Sequence, residues 1–192
     1  MLPLILASSS RYRKSLLERL HLPFESAAPD VDETPLQNEQ PEQLTRRLAL
    51  AKAQALQARY PAHLIIGSDQ VVLLDNELVS KPGTHAEARE QLTRSSGKTL
   101  TFSTALCLLN SASGKHQVAM EPYSVTFREL SNEQIERYLL QDKPYDCAGS
   151  FKSEGFGVSL IERMHGDDPN SLIGLPLIRL CQMLAQEGIY LP

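Results

Sequence analysis

No apolar run in this chain approaches the roughly 20 residues that cross a bilayer, so no membrane-spanning helix and no membrane partner are expected. The apolar start, Met1 to Ala7, stops after seven residues and lacks a basic leader, so no signal peptide is expected either. Cysteine is scarce: Cys107, Cys147 and Cys181 lie 40 and 34 residues apart. An odd count without C-x-x-C spacing argues against a zinc site or a disulfide framework and for reduced thiols in the cytoplasm. The five histidines form no metal-binding pair at helical spacing. Basic charge is short as well, with 19 Lys and Arg against 23 Asp and Glu and a formal net charge of -4. That balance disfavours a nucleic-acid polymer as partner. It leaves room for a small polyanion whose cationic contacts are gathered locally. There is no Walker loop, no G-x-S-x-G elbow and no repeat, and the acidic stretch Asp30-Val31-Asp32-Glu33 lacks the glycine of an EF-hand.

The 192 residues, 42% apolar and 22% charged, suffice for one domain over 1–192 with a substantial core, compact and at most bilobed. Strand and helix patterns alternate through the first half, which predicts an α/β fold. Strands are expected at Leu2–Ala7 and Phe24–Ala27. Helices are expected at Arg11–Leu20, with Ser10 as N-cap, and at Pro41–Arg59. Leu64–Gly67 and Val71–Leu74 read as two short strands flanking Gly67-Ser68-Asp69-Gln70, and Asp75-Asn76 as a hairpin turn into Glu77–Val79. Thr84 with Glu87 and Ser131 with Gln134 are capping boxes for two further helices. Thr99–Leu109 and Gln117–Phe127 read as a hairpin, Phe156–Arg163 as a strand, and Pro176 as the start of the last helix.

The chemistry starts at Gly67-Ser68-Asp69-Gln70, where an acid is read at a strand edge, with Lys81-Pro82 about a dozen residues on. An acid can hold a cation or activate water while a lysine neutralises phosphate oxygens. Two further cations stand where apolar residues belong. Arg13 shares a helix face with Leu16, Leu17 and Leu20. It either completes an anion site with Ser8 and Ser10 at the helix start, or snorkels to solvent. Lys52 lies four residues after Leu48 on an apolar stripe, and either snorkels or points into a polar cleft.

In order along the chain, these pieces resemble the Maf family of nucleoside triphosphate pyrophosphatases. The resemblance is carried by Leu6-Ala7-Ser8-Ser9-Ser10 with Arg13, Val31-Asp32-Glu33-Thr34, Lys52-Ala53, Gly67-Ser68-Asp69-Gln70 and Lys81-Pro82. It continues through Cys147-Ala148-Gly149-Ser150-Phe151-Lys152-Ser153-Glu154-Gly155 and Ile173-Gly174-Leu175-Pro176. It implies an elongated mixed sheet with flanking helices and two lobes around a cleft, similar to inosine triphosphate pyrophosphatases. It also implies cleavage between the α and β phosphates of a nucleotide with a divalent cation, magnesium or manganese, and a homodimer. Asp69 is then the proton acceptor or metal-linked activator of water, and Glu33 with Asp69 the metal ligands. Ser8, Arg13, Lys52 and Lys81 cradle the triphosphate.

Tyr12, Gln70 and Glu154 stand where members acting on dTTP and UTP usually carry arginine, threonine and glutamine, and they resemble the branch that hydrolyses 7-methyl-GTP. Methylation makes the guanine ring cationic. An aromatic face attracts such a ring by about 0.5–2 kcal/mol, and a glutamate offsets its charge while accepting from the base edge. Two other readings stand beside this one: a dTTP or UTP pyrophosphatase of the same family, and a nucleotide-binding regulator of division without useful turnover.

Overall fold

Strands buried on both faces appear in sequence as unbroken apolar runs, because no face needs polar residues. Leu4–Ala7 (β1) is such a run, and all four residues are buried in the computed structural model, which describes residues 2–192. It pairs in parallel with Phe24–Ala27 (β2), Leu4 beside Phe24, and with Leu64–Leu74 (β3), Leu4 beside Leu64. The sheet has seven strands in the order β2-β1-β3-β5-β6-β7, where β5 is Thr99–Asn110, β6 is His116–Phe127 and β7 is Ile161–His165. A short strand, β4 (Glu77–Leu78), adds to β3. Parallel and antiparallel pairs are both present, so the sheet is mixed.

The described residues fall into two compact units: residues 2–70, 103–121 and 168–192 in the first, 71–102 and 122–167 in the second. In the first unit the strand period of two sorts the core. Leu4, Leu6, Leu64 and Ile66 face Leu16 and Leu17 of α1 (Arg11–Glu18) and Leu177, Leu180 and Leu184 of α6 (Leu177–Gln186). Ile5, Ala7 and Ile65 face Ala49 and Ala53 of α2 (Pro41–Ala55). The two crossover helices, α1 and α2, therefore cover opposite faces of the parallel part of the sheet, β2-β1-β3. Among the described residues no helix is long and apolar enough to cross a membrane.

In the second unit, Asp75 and Asn76 take φ of 52° and 67°, the left-handed pair of a tight hairpin turn, and bring Leu73 opposite Leu78. Thr84 accepts from the Glu87 amide to start α3 (His85–Ser95). Ser131 and Gln134 form a full capping box for α4 (Asn132–Asp142). Leu92, Leu100, Phe102, Phe127, Tyr138 and Phe151 are buried in this unit.

Three expectations are corrected. Leu64–Leu74 is one continuous strand, so Asp69 lies within β3 and not at a strand edge. Residues 156–160 form 3-10 turns before β7, because the Gly157 amide donates to Asp142 Oδ2 and a side chain at 157 would strike the Lys152 carbonyl. The helix from Pro41 ends at Ala55, and a five-residue helix, α5 (Pro169–Ile173), capped by Asp168, precedes α6.

Candidate active site

Gly67 is the pivot of the first unit. A Cβ there would lie 2.1 Å from the Ala49 carbonyl oxygen and 3.1 Å from the Ala53 nitrogen, both main-chain atoms of α2. The glycine thus lets helix backbone lie against strand backbone, which is a packing role and not a strand stop. That approach brings Lys52, on the same stretch of helix, down onto Asp69, two residues beyond Gly67 and on the same face of β3. Lys52 is 7% exposed and Asp69 is 8% exposed, and Lys52 Nζ donates to Asp69 Oδ1 at 2.7 Å. The lysine does not snorkel.

The same ammonium meets Glu33 Oε1 at 2.6 Å. Glu33 rides on the loop between β2 and α2, where Asp32 Oδ1 accepts from the Thr34 amide at 2.9 Å and Arg47 of α2 donates to the Thr34 carbonyl at 3.1 Å. The loop is therefore shaped by its own aspartate and tied to the helix that supplies Lys52. Burial pushes the Asp69 carboxyl above its ordinary range. The charge and hydrogen bond of Lys52 and the charge of Arg13 oppose that rise, and Glu33 adds to it. A carboxylate so placed is a better proton acceptor than a solvated one.

Arg13 enters from α1, whose start is capped by Ser10 Oγ accepting from the Arg13 amide at 3.3 Å. Ser8, buried at the end of β1, accepts from the Ser10 amide at 3.1 Å. The Arg13 guanidinium is half-buried, and its Nε donates to the Gly174 carbonyl at 2.8 Å. Burial lowers its pKa, and Asp69 and Glu33 pull it back up. Ser68 Oγ lies 2.9 Å from the same carbonyl and 2.9 Å from that of Ala105. Gly174 closes α5 with φ of +116°, a backbone that side chains rarely adopt. Ser68 and Gly174 thus orient Arg13, a role invisible along the chain, where glycine two residues before proline signals only a helix end. The whole group sits at the carboxyl ends of β1 and β2 and on β3. Here the chain leaves β1 to one side and returns to β3 on the other, the place where open α/β sheets bind ligands.

Gln70 points to the face opposite Asp69. Its Nε2 donates among Thr104 Oγ1 at 2.8 Å and the Ser171 and Leu172 carbonyls at 2.8 and 3.2 Å. Those bonds engage both amide hydrogens and leave the carbonyl oxygen as the group Gln70 can offer a ligand. Tyr12 is half-buried, with the Arg11 guanidinium 4.8 Å from its ring centroid and bonded to its hydroxyl at 2.9 Å.

Lys81 and Glu154 belong to the second unit, and both are exposed. Lys81 sits on the turn that enters α3. Glu154 sits on a loop pinned to α4: the Lys152 amide donates to the Tyr138 hydroxyl at 3.0 Å and Lys152 Nζ to the Asp142 carbonyl at 2.8 Å. Of the residues singled out by sequence, the structure gathers Arg13, Lys52, Glu33 and Asp69 into one charged cluster. Tyr12 and Gln70 stand in the same unit with other partners.

Among the described residues no group of three or more His, Cys, Asp and Glu side chains is placed to hold a metal ion. Two carboxylates do converge on the Lys52 ammonium. Magnesium characteristically uses one or two carboxylates and completes its shell with phosphate and water oxygens, and the donor set of Glu33 and Asp69 fits that habit.

The profile of a family described as Maf-like protein matches residues 3–187. A 7-methyl-GTP pyrophosphatase of Pseudomonas putida is 58% identical over 192 residues, covering 100% of each chain. Among solved structures, the Ham1 protein of Staphylococcus aureus superposes with a TM-score of 0.55 and 12% identity, over 97% of this chain and 100% of the other. A HAM1 protein from Coxiella burnetii gives 0.49 at 15% identity over 66% and 73%. The first of these structural likenesses shows a shared fold. With the charged cluster built from the matched stretch and the family profile spanning nearly every residue, the chain belongs to the Maf-like protein family.

Proposed function

We propose that this chain hydrolyses 7-methyl-GTP to 7-methyl-GMP and pyrophosphate. The observation that carries the reading is Asp69, a buried carboxylate with a raised pKa, held by Lys52 beside Glu33 and Arg13. Its support from outside the chain is the full-length relative named for that activity. Water attacks the α-phosphorus and the bond from that phosphorus to the α–β bridging oxygen breaks. Pyrophosphate leaves with the electron pair, and Asp69 accepts the proton that water loses. Ser8, Arg13, Lys52 and Lys81 cradle the triphosphate, the serine by hydrogen bonding and the three cations by neutralising phosphate oxygens. Glu33 and Asp69 are assigned to a divalent cation, magnesium or manganese, which when bound supplies charge neutralisation and a more acidic water.

Tyr12, Gln70 and Glu154 are assigned to the base. The guanidinium already resting over Tyr12 supports this, since a face that holds one cation suits a methylated, cationic guanine. The thiols of Cys107 and Cys181, neither of them in a disulfide, support a reducing, cytoplasmic setting, and the family resemblance supports a homodimer.

The test is pyrophosphate release by wild type and Asp69→Asn from a panel of 7-methyl-GTP, GTP, dTTP and UTP. Wild type should turn over 7-methyl-GTP fastest, and Asp69→Asn should lose about 10²–10⁴-fold, the range of a general base. Preference for dTTP or UTP would move the chain to the other branch of the family. Binding without turnover would make it a nucleotide-binding regulator. Equal rates in both proteins would remove Asp69 from the chemistry.

A further inference from the structure

An exposed lysine is a flexible point charge, and it can meet a phosphate reproducibly only if its main chain is fixed. Lys81 is exposed, yet the turn that carries it is tied on both sides within the second unit. Before it, Gln91 Nε2 of α3 donates to the Ser80 carbonyl at 3.0 Å. After it, the Gly83 amide donates to the Tyr145 carbonyl at 3.0 Å, with Gly83 at φ +69°. Gln91 is itself aimed, because its Oε1 accepts from Ser150 Oγ at 2.6 Å. Ser150 is fully buried and takes the left-handed φ of 55°, a costly conformation for a residue with a side chain. The chain Ser150–Gln91–Ser80 therefore has one direction. A buried hydroxyl donates to the amide oxygen, and the amide nitrogen donates to the carbonyl before Lys81. Only an amide offers an acceptor and a donor at this reach; a carboxylate cannot donate to a carbonyl, and leucine can do neither.

We infer that Gln91 is a positioning residue for Lys81, setting where its ammonium meets the triphosphate. The inference rests on the reading above that Lys81 binds phosphate. The alternative is that Gln91 only satisfies buried polar groups, in which case its loss would cost stability without regard to Lys81.

The experiment is a double-mutant cycle on the full chain with 7-methyl-GTP, using Gln91→Leu, Lys81→Met and both together, with pyrophosphate as the product inhibitor. Gln91→Leu should raise KM and the pyrophosphate inhibition constant together, each about tenfold, since a misplacement of about 1 Å costs up to about 100-fold. In the Lys81→Met background the same change should have less than about a twofold effect, because the interacting partner is already gone. The preference for 7-methyl-GTP over GTP should not move. If Gln91→Leu fails to fold, Ser150→Ala removes the group that aims the amide and should give the same pattern at smaller size. Full activity in Lys81→Met would overturn the phosphate reading of Lys81 itself. A damaged Lys81→Met with additive losses in the double variant would leave that reading in place and overturn the role of Gln91. A change in base preference would overturn it too, by routing the effect through Ser150 to the Glu154 loop.

Discussion

Replacing Lys52 with methionine keeps most of the apolar stem of the side chain and removes the ammonium, its charge and its hydrogen bonds together. The consequence is set by what Lys52 leaves behind. The Lys52 and Asp69 side chains are 9% and 11% exposed, and the bond between them is 2.7 Å. Breaking a buried pair by removing one partner costs about 3–5 kcal/mol, because the other charge stays buried and uncompensated. The second bond, to Glu33, adds little, since that carboxylate is 59% exposed. For a chain of this length the loss corresponds to roughly 6–20 °C in Tm. Its pH dependence has a definite sign. Asp69 already titrates above its unfolded value, so the stability associated with its proton is fully present below the unfolded pKa and is lost as pH rises through the folded one. Without Lys52 the folded pKa rises further, so Lys52→Met should be penalised more at pH 8 than at pH 5. Urea unfolding of wild type, Lys52→Met, Asp69→Asn and the double variant at both pH values tests this. Lys52→Met/Asp69→Asn should recover most of the loss. An equal penalty at pH 5 and pH 8, or no recovery in the double variant, would show that Lys52 acts through packing and that the charge argument is wrong.

Gly67→Ala should destabilise by at least the roughly 1–3 kcal/mol of an overpacked core, because the atom it strikes, the Ala49 carbonyl oxygen, is helix backbone and cannot swing aside. It should also lower kcat/KM, since displacing α2 draws Lys52 off Asp69; urea unfolding and turnover together check this, and a variant normal in both would contradict the close approach. Glu33→Gln removes a charge that raises the Asp69 pKa, so the acidic limb of the kcat/KM profile should move to lower pH. A pH-rate profile showing the limb unmoved or raised would count against the coupling. Glu154→Gln should reduce the preference for 7-methyl-GTP over GTP by about tenfold, the worth of roughly 1.4 kcal/mol of charge-assisted bonding; steady-state kinetics on both substrates reads it, and an unchanged preference would sink the charge argument for the base.

What was legible along the chain was whatever depends on near neighbours. Ser10, Thr84 and Ser131 cap helices because the amides they satisfy are three residues away. Asp75-Asn76 turns because both residues tolerate positive φ. Lys52 was conspicuous because a helix repeats every 3.6 residues and the lysine fell on the apolar stripe. What was not legible depends on contacts far apart in sequence. Gly67 reads locally as a strand stop, and only the backbone of α2 packed against it reveals a space that a side chain would fill. Phe156–Leu160 has the composition of a strand, yet the Asp142 carboxylate pulls its glycine amide into a turn. Helix α5 has five residues, too few to display a period. The orientation of Arg13 depends on a carbonyl 161 residues away.

The division of labour proposed for Asp69 and Gln70 follows from the strand that carries them. Had the chain broken at Gly67, as the sequence pattern implied, neighbouring side chains could have turned to one side. In a continuous strand they cannot. Gly67 and Asp69 face α2 and its lysine, while Ser68 and Gln70 face the Ser171–Gly174 segment. Chemistry on phosphate and selection of the base can therefore be encoded by adjacent residues without their side chains competing for the same space. Gln70 also constrains what it can select. With its amide hydrogens engaged by Thr104 and the α5 carbonyls, it can meet a base only as an acceptor. The partner it suits is a ring edge that donates, such as the N1–H and amino group of guanine.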